Sequence, residues 1–169
     1  RELLQSAEEE SEWLIHMVEN LLTITRLNGD GETRLITQPE AVEEVMAGAA
    51  AKFRRRYPDF AVQVTAPEEL LMVSMDATLM EQVLLNLLSN AIKFTSAGGT
   101  VSVRVAQLPG APKGKGLYEI RVKDTGIGMS KEFAEKIFEP FERERTSTVS
   151  KIQGTGLGMA ISKNIVDMM

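Results

Sequence analysis

Hydrophobic residues between Leu79 and Leu88 recur at three- and four-residue spacing, which predicts an amphipathic helix in the middle of the chain. Its apolar face would consist of Leu79, Met80, Val83, Leu84, Leu87 and Leu88. Asn86 and Asn90 stand one turn apart on another side of this helix, and Lys93 follows three residues later. An amide oxygen can ligate Mg²⁺, and an ammonium can bind phosphate. The same polar residues could also be the solvent side of an ordinary helix.

A narrower hydrophobic stripe runs along residues 3–27 and predicts one long helix near the N-terminus. Its steps alternate between three and four residues, as in a coiled-coil seam. The seam residues are Leu14, Met17 or Val18, Leu21, and Ile24 or Thr25. The stripe favours pairing with another helix, for example from a second subunit; packing on its own domain is the alternative. His16 lies off the seam and would be either a phosphoryl acceptor or a solvated side chain without a role.

Shorter patterns divide the rest of the chain into strands and helices. Strands are predicted at residues 33–37, Ala61–Thr65, Leu70–Ser74, Thr100–Val105 and Tyr118–Val122. Further helices are predicted from about Glu40 to the residue before Pro58, over residues 131–138, and after Gly158. Asp76 and Ser130 are suited to cap the helices that follow them.

Two glycine-rich segments are candidates for ligand binding. In the first, Asp124 to Gly128 (DTGIG), the glycines permit a tight turn and close approach of a ligand, and Asp124 could accept a hydrogen bond from an adenine amino group. A plain loop capped by an Asp is the alternative. In the second, Gly154 to Gly158 (GTGLG), a loop opens a helix, where backbone N–H groups can hold phosphate. Each motif alone has low specificity.

Composition narrows the class of protein. The chain has 169 residues, enough for one domain with a hydrophobic core, and a net charge of −5, which argues against a nucleic-acid partner. With no Cys and one His, disulfides, thiolate sites and multi-His metal sites are excluded. No apolar run is long enough to span a membrane and no signal peptide is visible, which indicates a soluble, cytosolic type of segment.

Taken in order, the motifs resemble the catalytic ATP-binding domain of sensor histidine kinases, whose fold is shared with DNA gyrase, the Hsp90 chaperones and MutL. The matching segments are Asn86–Phe94 for the N box, Asp124–Gly128 for the G1 box, Phe138–Phe141 for the F box and Gly154–Gly158 for the G2 box. The resemblance covers residues 30–169. Residues 1–29 resemble the second helix of the preceding dimerisation and phosphoacceptor domain, and residues 8–95 resemble the potassium-sensing kinases of bacteria.

The resemblance implies a two-layer α/β sandwich, with a mixed, mostly antiparallel sheet and helices on one face, preceded by one long helix. Residues 1–29 would be part of the dimerisation domain and residues 30–169 the catalytic domain. It also implies two further strands after Met169, and a phosphoacceptor His on a helix ahead of Arg1. His16 matches no phosphoacceptor motif, so autophosphorylation of this chain is not expected.

The resemblance also assigns roles to residues. Asn86, Asn90 and Lys93 would be catalytic, with Asn90 as the Mg²⁺ ligand and Lys93 a phosphate contact. Asp124 would accept from the adenine amino group, and residues 129–153 would form a lid that orders with nucleotide. The residues expected to bind ATP are Asn90, Lys93, Phe94, Asp124, Gly126, Ile127, Gly128, Phe141, Arg143, Gly154, Thr155, Gly156, Leu157 and Gly158.

Asn86 distinguishes phosphotransfer from hydrolysis. In ATP-hydrolysing relatives the position one turn before the Mg²⁺ ligand is a Glu that activates water, and an amide cannot act as this base. The implied function is therefore Mg-ATP binding and transfer of the γ-phosphate to a His, with a response regulator and a second subunit as partners. The domain would be cytoplasmic, within a parent of the inner-membrane sensor type. The alternatives are a non-catalytic ATP-binding signalling module and an ATP-driven conformational switch.

Overall fold

The structure is a computed structural model that describes residues 15, 18, 22, 35–58, 60–144 and 154–169. Two compact units are distinguished. The core unit comprises Leu35–Met129 and Ile165–Met169, and the second unit comprises Arg1–Arg34 and Ser130–Asn164. The predicted domain boundary near residue 29 lies outside the described residues and stays a prediction.

The predicted N-terminal helix is described at three positions. Ile15, Val18 and Leu22 are helical, and their side chains are 51–58% exposed. The other predicted seam residues, together with His16, lie outside the described part of the chain. Pairing through this helix therefore also stays a prediction.

Nine elements make up the described residues from Leu35 onwards. The strands are β1 (Gln38–Ala41), β2 (Val62–Thr65), β3 (Met72–Met75), β4 (Val101–Leu108) and β5 (Leu117–Asp124). The helices are α1 (Val42–Arg56), α2 (Ala77–Lys93), α3 (Lys131–Ala134) and α4 (Gly158–Met168). The predicted α/β class is confirmed.

The strands of the core unit form a mixed arrangement. β2 pairs with β4 in parallel, and β4 pairs with β5 antiparallel along their full length, from Val101 opposite Asp124 to Leu108 opposite Leu117. β1 and β3 form a separate antiparallel pair. Antiparallel pairing therefore prevails, as expected, although the described strands form two small sheets where one had been predicted.

The first strand lies later in the chain than predicted. Residues 35–37 are not in a strand, whereas β1 covers Gln38–Ala41, and the next helix begins at Val42 and not at Glu40. Pro39 favours a helix start by its local geometry, but here it lies opposite Ser74 in an edge strand, where its missing N–H is tolerated. Pairing with β3 therefore outweighs the local preference.

The hydrophobic core lies between the two long helices, α1 and α2, and the strands β2, β3 and β4. α1 and α2 contact each other, and both contact β4. Val101, Val103 and Val105 are each 2% exposed, so the predicted alternation of this strand is confirmed. Leu84 and Leu88 are each 1% exposed, and burial of such side chains contributes about 1.5–3 kcal/mol each. A 2.6 Å ion pair between Lys52 and Glu81 joins α1 to α2.

Both predicted helix caps are confirmed. Asp76 Oδ1 accepts a hydrogen bond from the N–H of Leu79 (3.1 Å), and Ser130 Oγ accepts one from the N–H of Phe133 (3.2 Å). α3 is shorter than the predicted 131–138. Its hydrogen bonds change to three-residue spacing at Lys136, whose N–H donates to the Phe133 carbonyl, so the helix tightens into turns.

Candidate functional site

The predicted site residues fall in both units, and each group is described within its own unit. The core unit holds Asn86, Asn90, Lys93, Phe94, Asp124, Gly126, Ile127 and Gly128. The second unit holds Phe141, Arg143, Gly154, Thr155, Gly156, Leu157 and Gly158.

The C-terminal half of α2 carries the predicted metal ligand. Asn86 and Asn90 are half-buried and Lys93 is exposed. The Asn90 carbonyl accepts the N–H of Phe94 (3.1 Å), which ends the helix. Within the described part of the chain, the Asn90 side-chain amide has no hydrogen-bond partner. Its oxygen is therefore available to a ligand.

The Asp124 turn, residues 124–128, is attached directly to the end of α2. The N–H of Ile127 donates to the carbonyl of Phe94 (3.0 Å). A Cβ on Gly126 would lie 2.4 Å from that same carbonyl oxygen, so glycine is required by the protein's own backbone. Gly128 meets a different need, because its φ of +68° is unfavourable for other residues. Two motifs that are separate in sequence are thus joined in one unit.

Asp124 ends β5 and uses one of its two carboxylate oxygens locally. Its Oδ1 accepts the N–H of Gly126 at 2.9 Å, and no described residue donates to its Oδ2. The side chain is exposed, and the neighbouring Ile127 is 50% exposed. A carboxylate oxygen and an exposed apolar side chain in the same turn suit a mostly apolar ligand that donates one hydrogen bond.

Sequence reasoning missed Thr125. Its N–H donates to the carbonyl of Thr100 (3.1 Å), and its Oγ1 accepts the N–H of Thr100 (2.9 Å). These two bonds attach the Asp124 turn to the start of β4. The only sequence signal was a hydroxyl residue directly after the strand-ending Asp, and that signal does not identify Thr100 as the partner.

In the second unit, the end of the predicted F box contacts the glycine-rich loop through the backbone. Phe141 donates its N–H to the carbonyl of Gly156 (3.0 Å). A Cβ on Gly156 would lie 2.8 Å from the carbonyl carbon of Phe141, and Gly156 has a φ of +71°. Phe141 itself has a φ of +66°, which is unique among the non-glycine residues that the structure describes. Such a conformation costs about 1–3 kcal/mol and persists only when neighbours hold it.

The glycine-rich loop leads into α4 as predicted. Leu157 is buried and its N–H donates to Thr155 Oγ1 (3.2 Å), while its carbonyl accepts the N–H of Ile161 (2.9 Å) in the first turn of the helix. Gly154 has open space where a Cβ would lie. The bare backbone at the start of this helix is chemically suited to anions.

The predicted lid is described only in part. Ser130 donates its N–H to Glu144 Oε1 (3.0 Å), which links the two ends of residues 130–144. Arg143 is exposed. Residues 145–153 lie outside the described part of the chain, so the lid remains a prediction.

Two absences concern the residues that the structure describes. They contain no group of three or more His, Cys, Asp or Glu side chains placed to hold a metal ion. Nor do they contain a helix that is both long and apolar enough to cross a membrane.

Comparisons with known proteins identify the family of this chain. A sequence model of the family described as "Histidine kinase-, DNA gyrase B-, and HSP90-like ATPase" matches residues 75–169. The sensor protein KdpD of Clostridium acetobutylicum is 36% identical over 167 residues, which are 99% of this chain but only 18% of that protein.

Solved structures of histidine kinases share the fold. The mycobacterial sensor histidine kinase MprB aligns with a TM-score of 0.65 at 30% identity, over 79% of this chain and 80% of that one. Full-length ShkA in complex with AMPPNP aligns with a TM-score of 0.71 at 26% identity, over 100% of this chain and 34% of that one. The chain belongs to the histidine kinase-, DNA gyrase B- and HSP90-like ATPase family, and within it resembles the ATP-binding catalytic domains of sensor histidine kinases.

Proposed function

We propose that this chain binds Mg-ATP and presents the γ-phosphate for transfer to a histidine of a dimerisation domain. The observation that carries the proposal is the junction of the Asp124 turn with the end of α2. Through Phe94, this junction holds Asp124 and Asn90 on connected backbone, and each has an oxygen that no described residue uses. The similarity to ShkA, solved with AMPPNP, supports an adenine nucleotide as the ligand.

We assign the adenine to the Asp124 turn. Asp124 Oδ2 would accept from the amino group of the base, and Ile127 would contact the ring. Gly126 and Gly128 allow the backbone to turn sharply beside the base. The carboxylate already accepts the N–H of Gly126 through Oδ1, and this bond helps to orient it before the ligand arrives.

Asn90 fits a magnesium ion that arrives with the nucleotide. Mg²⁺ commonly keeps several waters and takes only one or two protein ligands besides phosphate oxygens. A single half-buried amide oxygen without a partner among the described residues meets that requirement. When bound, Mg²⁺ would neutralise charge on the phosphates. Lys93 would contact the phosphates through its ammonium.

The glycine-rich loop of the second unit would hold the phosphates through backbone amides. The N–H of Leu157 donates to Thr155 Oγ1, so within Gly154–Gly158 we expect Leu157 to contribute least to phosphate binding. Phe141 and Arg143 would close over the nucleotide as part of a lid formed by residues 129–153.

Asn86 would direct the γ-phosphate to a protein nucleophile. An amide cannot remove a proton from water, so hydrolysis should be slow.

We further propose that the parent protein dimerises through the N-terminal helix, passes the phosphoryl group to a response regulator, and carries this domain in the cytoplasm, where ATP is available. Nucleic acid is not proposed as a partner, because the net charge is −5.

Substituting Asp124 by Asn should remove the preference for adenine. If the amide oxygen accepts the N–H of Gly126 as Oδ1 does now, the amide NH2 group faces the adenine amino group, and two donors oppose each other. ATP affinity should then fall about 10- to 100-fold. Calorimetric titration with ATP, GTP and purine riboside triphosphate, which lacks the amino group, measures the preference. The substitution Glu69→Gln, at another exposed carboxylate, controls for the change in charge. If wild-type protein bound GTP as tightly as ATP, the role of Asp124 would be wrong.

His16 should not accept the phosphoryl group. It has no acidic residue directly after it to polarise the imidazole, since Met17 follows. With γ-labelled ATP, this chain alone should acquire no acid-labile, base-stable label, and a supplied protein that carries a sensor-kinase phosphoacceptor helix should become labelled. Label on this chain that disappears in His16→Gln would make His16 the acceptor and overturn the assignment.

A further inference from the structure

The Asp124 turn is anchored from two sides of the core unit. On one side, Ile127 donates its N–H to the Phe94 carbonyl at the end of α2. On the other, Thr125 exchanges two hydrogen bonds with Thr100 at the start of β4. Together with the bond from Gly126 to Asp124, three consecutive N–H groups have acceptors. The turn therefore has little freedom to change direction.

The Thr125 hydroxyl lies near the loop that follows α2. A Cβ on Gly99 would lie 3.0 Å from Thr125 Oγ1 and 2.3 Å from the methyl carbon of Thr95. Thr95 is buried, and its hydroxyl donates to the Ala91 carbonyl in the last turn of α2 (2.5 Å). Thr125 and Thr95 therefore both lie near Gly99, and Thr95, in the loop after α2, is bonded back to that helix.

We propose that Thr125 is a positioning residue that sets the direction of the Asp124 carboxylate, and through it the selectivity for a base that carries an amino group. The inference rests on the proposed function, in which Asp124 accepts from adenine. Thr125 itself need not contact the nucleotide. Its hydroxyl is the only side-chain group among the described contacts that tie the turn to β4.

Removal of the Thr125 hydroxyl should affect the position of the Asp124 turn more than the stability of the fold. Thr100 and Thr125 are both exposed, so water can satisfy the Thr100 N–H when the hydroxyl is removed, and the unfolding midpoint should change little. A turn with one anchor fewer must be ordered when the ligand binds, and this lowers affinity for a ligand that depends on Asp124.

The test compares Thr125→Val, which removes the hydroxyl at nearly constant shape, with Thr125→Ser, which retains it. Affinities for ATP and purine riboside triphosphate are measured by calorimetry, with unfolding midpoints alongside. Thr125→Val should lower ATP affinity about three- to tenfold, the range of one hydrogen bond. Thr125→Val should leave the affinity for purine riboside triphosphate nearly unchanged. Thr125→Ser should keep the wild-type ratio of the affinity for ATP to the affinity for purine riboside triphosphate.

A double variant that combines Thr125→Val with Asp124→Asn tests whether Thr125 acts through Asp124. If Thr125 acts through Asp124, Thr125→Val should cause no further loss of ATP affinity in an Asp124→Asn background. Two results would show a merely structural role for Thr125 and overturn the inference. One is an equal loss of affinity for ATP and for purine riboside triphosphate. The other is an equal loss of ATP affinity with and without the Asp124→Asn substitution.

Nucleotide binding by wild-type protein and by the Asp124 and Thr125 variants separates loss of the proposed function from loss of this inference. If wild-type protein does not bind ATP, the proposed function fails and the inference with it. If Asp124→Asn binds ATP as wild-type does, the assignment of the adenine to Asp124 fails, and the inference fails with that assignment. If ATP binding depends on Asp124, but Thr125→Val keeps the wild-type ratio of affinities for ATP and purine riboside triphosphate, only the inference about Thr125 is overturned.

Discussion

Replacing Asn90 by Ala should remove most of the magnesium-dependent affinity for ATP. The substitution deletes the amide oxygen, the one protein ligand that we assign to the metal. Loss of even an outer-shell partner of a metal costs about 10- to 100-fold in affinity, so a direct ligand should cost at least about 100-fold. Calorimetric titration with ATP in the presence of Mg²⁺, and again in the presence of a chelator, measures this difference.

The matched control is Ser89→Ala. Ser89 is half-buried in the same turn of α2 but points about 100° away from Asn90. The Ser89→Ala variant should bind Mg-ATP with wild-type affinity. In the presence of the chelator, both variants should bind ATP with the same affinity as wild-type protein. Retention of the full magnesium dependence in Asn90→Ala would place the metal ligand elsewhere.

Replacing Gly126 by Ala should abolish nucleotide binding while leaving most of the fold in place. The added methyl group would lie 2.4 Å from the carbonyl oxygen of Phe94 and 2.8 Å from its carbon. Because both atoms are backbone at the end of a packed helix, the turn must move, and the bond from Ile127 to Phe94 should break. Asp124 and Ile127 would then be displaced together, so both the bond to the adenine amino group and the apolar contact would be lost, and ATP affinity should fall by about 100-fold or more.

Gly48→Ala provides the same chemical change at a permissive place in the core unit. A Cβ on Gly48 would lie 3.4 Å from a carboxylate oxygen of Glu81, an ordinary contact. Alanine favours a helix over glycine by about 1 kcal/mol, so this variant should be slightly more stable and bind ATP normally. Circular dichroism and calorimetry on both variants separate loss of fold from loss of the site. Normal ATP affinity in Gly126→Ala would contradict the close contact.

Elements that meet the core on one face could be predicted from the sequence. The alternation of β4 is visible because Val101 and Val103 point to one hydrophobic layer while Arg104 points to solvent. The Asp76 cap is equally local, since its partner, the N–H of Leu79, is three residues away. Such signals need no knowledge of the rest of the fold.

Contacts with a distant backbone atom could not be predicted. Gly126 and Gly156 were interpreted as places where a ligand approaches, yet each lies against the chain itself, at Phe94 and Phe141. The left-handed conformation of Phe141 has no local signal either, because a phenylalanine rarely adopts it. Thr125 was missed for the same reason, since its partner Thr100 is far away in sequence.

The two kinds of strand pairing in the core unit imply an order of folding. β4 and β5 form a hairpin, and both anchors of the Asp124 turn, Phe94 and Thr100, come shortly before it in the chain. β2, by contrast, pairs in parallel with β4 only after β3 and α2 have intervened, and pairings across such long connections form slowly. The Asp124 turn, to which we assign the adenine, is therefore expected to assemble early from neighbouring parts of the chain, and β2 to join it late.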